Sequence, residues 1–236
     1  MLRSWAPNDT WRGNNWRGLG YNVYAHFPEF PPDGDPTNDE IGDLGSVGTG
    51  DLPVDYQATS HNFWRLIDHY QPHVLITTSR GGVIEWELEA IEGGHGETGN
   101  TDPALDWIED RFGEVMLPTQ ESIAARSWHA ISEFRAGHVL PSQLPLSTLM
   151  TELSKKDILT VEIDEGTSGN YLSGFMGLHG LYYNKIATHN LTAGHIHVGR
   201  HVSVEDATAM MEATLEIVLR QFPAATVCKN EARDHS

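Results

Sequence analysis

A single cysteine, Cys228, is all the thiol chemistry the 236 residues hold. It rules out an intrachain disulfide and any metal site built on cysteines. Lysine is nearly as scarce, at positions 155, 156, 185 and 229, and Lys plus Arg number 15 against 33 Asp plus Glu, a formal charge of −18. So acidic a surface repels phosphates and anionic bilayers, which excludes nucleic acid and membrane surfaces as expected partners. No apolar run approaches transmembrane length. The start "MLRSWAPNDTWRGNNWRG" lacks the apolar stretch of a secretory leader, so a soluble, cytoplasmic protein is expected. What is present, 39% hydrophobic residues, suffices for a sizeable core.

Residues 1–20 are polar, carry Trp5, Trp11 and Trp16, and fit no periodicity; they read as an extension. "YNVYAHF" (21–27) reads as a short strand, and 28–51, rich in Pro, Gly and Asp, as loop. Phe63, Leu66, Ile67 and Tyr70 stand at helical spacing before Pro72, and "HVLITT" (73–78) follows as a buried strand. "TQESIAARSWHAISEF" and "PLSTLMTELSKK" are helical in pattern, "DILTVEI" (157–163) and "HIHV" (195–198) are strands, and a helix is expected from about Tyr171 towards Ile186. The closing helix opens at Ser203 with Asp206 three residues on, the pattern of a capping box. Strands alternating with helices predict a three-layer α/β/α fold with a largely parallel, twisted sheet. One α/β domain over 21–222 is expected, with an inserted segment at about 93–140 and a C-terminal tail at 223–236.

Three segments carry residues suited to chemistry. "SGNYLSGF" sets Ser173 in the first turn of a helix, where free N–H groups and the positive helix end can stabilise an oxyanion; serine is equally at home there as a cap. "AGHIHVGRH" holds His195, His197 and His201, and strand alternation puts His195 and His197 on one face. Such a histidine can act as general base, ligate a metal, or simply be hydrogen-bonded. "EWELEAIE" offers Glu85, Glu87, Glu89 and Glu92, any of which could orient a histidine, or all of which could form a solvated acidic face.

In order and spacing these segments resemble the pyroglutamyl peptidase I family, the pyrrolidone-carboxylate peptidases, which are cysteine peptidases. The resemblance runs from residue 21 to about 222. "AHFPEFPPDGDP" is similar to the family's "TGFEPFGG…NP", "QPHVLITTSRGG" to its "P…GGR" segment, "IEWELEAIE" to its "I..ERVAIN", "EGTSGNYLSG" to its "S.TAG.Y.CN" run, and "HIHVG" to its "F.HVP". The resemblance implies Glu87, His197 and Ser173 at the catalytic stations, with the 24-residue step from Ser173 to His197 matching the family's. It also implies an apolar slot for a flat lactam ring, formed by Phe27 and Phe30 with Tyr171 and Leu172 nearby, no cofactor, and a homo-oligomer.

The departures are specific. Ser173 replaces the cysteine, Gly174 the asparagine after it, Gly81 the arginine of "GGR", and Gly199 the proline of "HVP". Serine does not ionise as a thiol does and needs the histidine to take its proton as it attacks. Three readings of position 173 follow: a native serine nucleophile, an engineered Cys-to-Ser change, or a catalytically dead homologue that binds a ligand. The expected activity is hydrolysis of an amide or lactam in a small-molecule or short peptide substrate of pyroglutamyl type. The other enzyme class is a metal-dependent amidohydrolase using His195, His197 and His201 with Glu87.

Overall fold

The structure, a computed structural model, describes residues 15–26, 56–93, 138–169 and 172–223. The chain divides into two compact units. One comprises Leu52–Leu146 and Val161–Arg200, the other the N-terminal residues to Asp51, Ser147–Thr160 and His201–Ser236.

The first of these holds a four-stranded sheet. Its strands are β1 (Val74–Arg80), β2 (Trp86–Glu89), β5 (Val161–Asp164) and β6 (Thr192–Val198), in the order β1-β6-β2-β5. β1 runs parallel to β6 and β2 parallel to β5, while β2 and β6 pair antiparallel. The sheet is thus mostly parallel, in an α/β fold as the alternating pattern predicts. A two-stranded ribbon pairs β3 (Ile91–Gly93) with β4 (Val139–Pro141).

Helix α1 (Tyr56–Tyr70) packs against α3 (Leu172–Ile186), and α3 lies on β1, β6 and β3. The expected helical stripe is the reason: Phe63, Trp64 and Ile67 of α1 meet Phe175, Leu178 and Tyr183 of α3 in one buried cluster, to which Leu172 also packs. His179 sits in that cluster with no exposure, its Nδ1–H donating to the Phe175 carbonyl at 2.8 Å and its Nε2 accepting from Ser60 Oγ at 2.9 Å. Burial lowers its pKa to about 4 against the pull of the carbonyl, so it is a neutral core histidine.

In the other unit, α4 (Val204–Gln221) is capped as the sequence predicts: Asp206 N–H donates to Ser203 Oγ at 3.0 Å, and the hydroxyl donates to the Asp206 carboxylate at 2.7 Å. Ala207, Met210, Met211, Thr214 and Val218 are turned inward. Arg17 holds Glu212 at 2.6 Å and Glu216 at 2.9 Å, and Tyr21 donates to the Phe222 carbonyl, which ties the start of the described chain to α4.

Two expectations are corrected. Residues 21–26 form no strand, because the backbone here closes on itself: Trp16 N–H donates to the Tyr21 carbonyl, and the Asn15 amide to the Asn22 side chain. β5 begins only at Val161, because Lys156 and Asp157 donate back to Leu153 and Ser154 and Asp157 takes a left-handed φ of 54°, ending α2 (Leu146–Ser154) in a turn. The helix expected over "TQESIAARSWHAISEF" lies outside the described residues.

Phe175 is fully buried where α1 and α3 meet. Phe175→Ala is expected to destabilise the protein by about 3–5 kcal/mol, read as a shift of the urea midpoint at constant slope.

Candidate active site

The antiparallel register of β2 and β6 sets Glu87 directly opposite His197, and Leu88 opposite Ile196. Side chains alternate across a strand, so Glu87 and Glu89 share one face with His195 and His197, while Trp86, Leu88 and Ile196 occupy the other with no exposure at all. α3 covers the polar face, since Gly180 lies against the Thr77 side chain, which is in register with His195.

His197 is 7% exposed and its Nδ1 lies 2.7 Å from Glu89 Oε1 and 3.3 Å from Glu87 Oε2. Two of the three residues placed by the sequence, Glu87 and His197, are therefore brought together, but the closer acid is Glu89. Glu89 is buried to 1%, and its Oε2 has no hydrogen-bond partner among the described residues. Burial lowers the His197 pKa, but the Glu89 and then the Glu87 carboxylate more than offset this and hold it above the ordinary histidine range. Burial pushes Glu89 upward, opposed by His197 and reinforced by Glu87 and Asp164. The choice of Glu89 was open to sequence reasoning, for β2 alternation puts residues 87 and 89 on one side; only the register shows which reaches the ring.

His195 is fully buried, with Nδ1 2.8 Å from Thr77 Oγ1 and Nε2 2.9 Å from Ser79 Oγ. With the Thr77 hydroxyl proton directed at the Gly194 carbonyl, the ring donates from Nδ1 and accepts at Nε2. Burial, then the neighbouring His197 charge, lowers its pKa far below the ordinary range, so it stays neutral. Both its nitrogens are engaged by hydroxyls, so it offers no free nitrogen to a metal shared with His197. The donor group that does converge is Glu87, Glu89 and His197, whose ligand atoms lie within 4.8 Å of one another.

Ser173 stands in the first turn of α3, half-buried, its Oγ donating to the Ser168 carbonyl at a long 3.4 Å. No hydrogen bond joins it to His197 among the described residues. The turn before α3 approaches the helix closely: Gly169 takes a φ of 90°, and a Cβ on Gly174 would collide with its carbonyl oxygen. Leu172, expected near substrate, packs towards the α1–α3 cluster, whereas Phe27, Phe30 and Tyr171 lie outside the described residues.

No protein-family model matches this sequence, and no curated protein does. Solved structures do. A variant of pyrrolidone carboxyl peptidase from the hyperthermophile Pyrococcus furiosus superposes with a TM-score of 0.55 at 18% identity, over 75% of this chain and 85% of that one. A second variant from the same organism gives 0.55 at 19% identity, over 78% and 86%. Pyrrolidone carboxyl peptidase from Thermococcus litoralis gives 0.53 at 17%, over 72% and 76%. The chain has the fold of these peptidases.

The His197 pKa provides a direct test of the geometry. Glu89→Gln removes the larger and Glu87→Gln the smaller of the two upward influences, so the imidazole titration followed by NMR should move down in both and further in Glu89→Gln. Because the folded value lies above that of an unfolded histidine, this pair stabilises the protein fully below the unfolded pKa and the contribution fades as pH rises through the folded one. Any advantage of wild type over Glu89→Gln in urea midpoint should therefore shrink as pH rises through that window. Equal titration in all three proteins would place the carboxylates elsewhere.

Proposed function

We propose that this chain hydrolyses an amide or lactam bond in a small, cyclic substrate of pyroglutamyl type, with Ser173 as nucleophile and His197 as general base. The observation that carries the reading is the ring of His197: its Nδ1 faces two β2 carboxylates, which leaves Nε2 for a proton-bearing nucleophile, and α3, whose first turn bears Ser173, covers that same face of the sheet. The fold shared with pyrrolidone carboxyl peptidases agrees with it.

In this reading Nε2 takes the Ser173 proton as Oγ attacks the carbonyl carbon. The oxyanion forms at the N-terminal end of α3, where backbone N–H groups have no helical acceptor. Imidazolium, steadied by Glu89 and Glu87, then gives its proton to the departing nitrogen, and the C–N bond breaks. Water, deprotonated by the same ring, releases the acyl group and restores the serine. Attack by Ser173 Oγ requires it to leave the Ser168 carbonyl, to which it donates at 3.4 Å in the structure.

A metal-dependent hydrolysis centred on Glu87, Glu89 and His197 is the second reading, favoured by the convergence of their ligand atoms within 4.8 Å of one another.

On a pyroglutamyl anilide, wild type should turn over and Ser173→Ala should lose on the order of 10⁴-fold or more in kcat. Turnover surviving in Ser173→Ala would sink the nucleophile, and turnover confined to Ser173→Cys would identify the seat of a lost cysteine. Activity abolished by chelator and restored by a divalent cation would favour the metal reading.

A further inference from the structure

Glu92, in β3, is a fully buried acid that the proposed reaction leaves unused. Its side chain runs beneath the first two turns of α3, in space that two glycines keep open. A Cβ on Gly177 would come to 2.7 Å from Oε1 and 2.8 Å from Cγ of Glu92, and one on Gly174 to 3.5 Å from Oε2. The carboxyl reaches one residue of the turn before α3 twice: Ser168 N–H donates to Oε2 at 3.1 Å, and its hydroxyl to Oε1. The carbonyl of that same Ser168 receives Ser173 Oγ. Gly169 then folds back over Gly174, so turn, helix start and Glu92 form one packed unit.

We propose that Glu92 is a positioning residue, which fixes the turn at Ser168 against the start of α3 and thereby sets where Ser173 stands. Its surroundings favour the uncharged carboxyl. Burial raises its pKa well above the ordinary carboxylate range, the Ser168 hydrogen bonds oppose this, and Glu89 and Asp164 add to the rise. Among the described residues no lysine or arginine pairs with it. A side chain of the same shape with no charge would serve equally, since an amide can accept from Ser168 N–H and donate to its hydroxyl oxygen. The seat's purpose rests on the hydrolase reading, but the anchoring does not.

The test compares wild type, Glu92→Ala, Glu92→Gln and Gly177→Ala by two measurements: amide hydrogen exchange in peptides covering Ser168 and Ser173, and the rate at which an alkyl fluorophosphonate labels Ser173. Loss of a doubly bonded buried group should speed exchange, and slow labelling, by roughly tenfold or more in Glu92→Ala. Glu92→Gln should keep both within about threefold of wild type. Gly177→Ala, which fills the carboxyl's space without removing the acid, should loosen the same peptides and serves if Glu92→Ala does not fold. Unchanged exchange in Glu92→Ala or in Gly177→Ala would overturn the proposal, as would Glu92→Gln behaving like Glu92→Ala. A wild-type protein that takes no label would defeat the serine nucleophile, while exchange alone would still decide the role of Glu92.

Discussion

The pairing of β2 with β6 is the constraint on which the candidate site depends. It is the antiparallel seam of a mostly parallel sheet, and it sets Glu87 against His197. The apolar side of the same two strands enforces it. Trp86, Leu88 and Ile196 have no exposure, so a slip of one residue would carry them onto the polar face and drive Glu87, Glu89 and His197 into the core. Register is fixed by packing, and the acid–histidine contact follows from it.

That contact gathers charge in a place with little water. Glu89 is almost wholly buried, Asp164 is its cross-strand neighbour, and Glu87 stands two residues away. Against these, His197 is the positive group in contact. Removing one partner of a buried pair costs more than the pair is worth, because the remaining charge is left uncompensated. His195 takes the opposite part: held between Thr77 and Ser79 and kept neutral, it adds no second positive charge and holds β6 to β1. Neighbouring histidines on one strand face are thus pushed in opposite directions because their neighbours differ, hydroxyls in one case and carboxylates in the other.

Much of this order was legible in the chain. Helical spacing at Phe63, Ile67 and Tyr70, the Ser203 cap, the apolar run at 73–78 and the alternation of "HIHV" all became the elements they suggest, because each records a local rule that packing reinforces. Of the strand expected at 21–27, the described residues 21–26 form none, where Asn15 and Asn22 offered the backbone nearer partners. Of the four glutamates in "EWELEAIE", composition could not choose. Glu89 and Glu92 became distinct only when register directed one at an imidazole and a turn placed the other under a helix, and both are long-range facts. His179 shows the converse: a buried histidine in a helix, which sequence cannot separate from a working one, is satisfied by Ser60 and a carbonyl of its own helix.

The glycine at position 81 follows from the same seam. A Cβ there would come to 2.8 Å from the His197 Cβ, and one on Gly199 would collide with the Ile84 carbonyl. The chain enters and leaves the histidine's strand end with its backbone pressed against neighbours, so this site has no room for a side chain directed inward from either position. Gly174 likewise lets the preceding turn close upon the start of α3, a 15-residue helix. Close packing at the histidine's strand end and at the start of α3 therefore both depend on small residues.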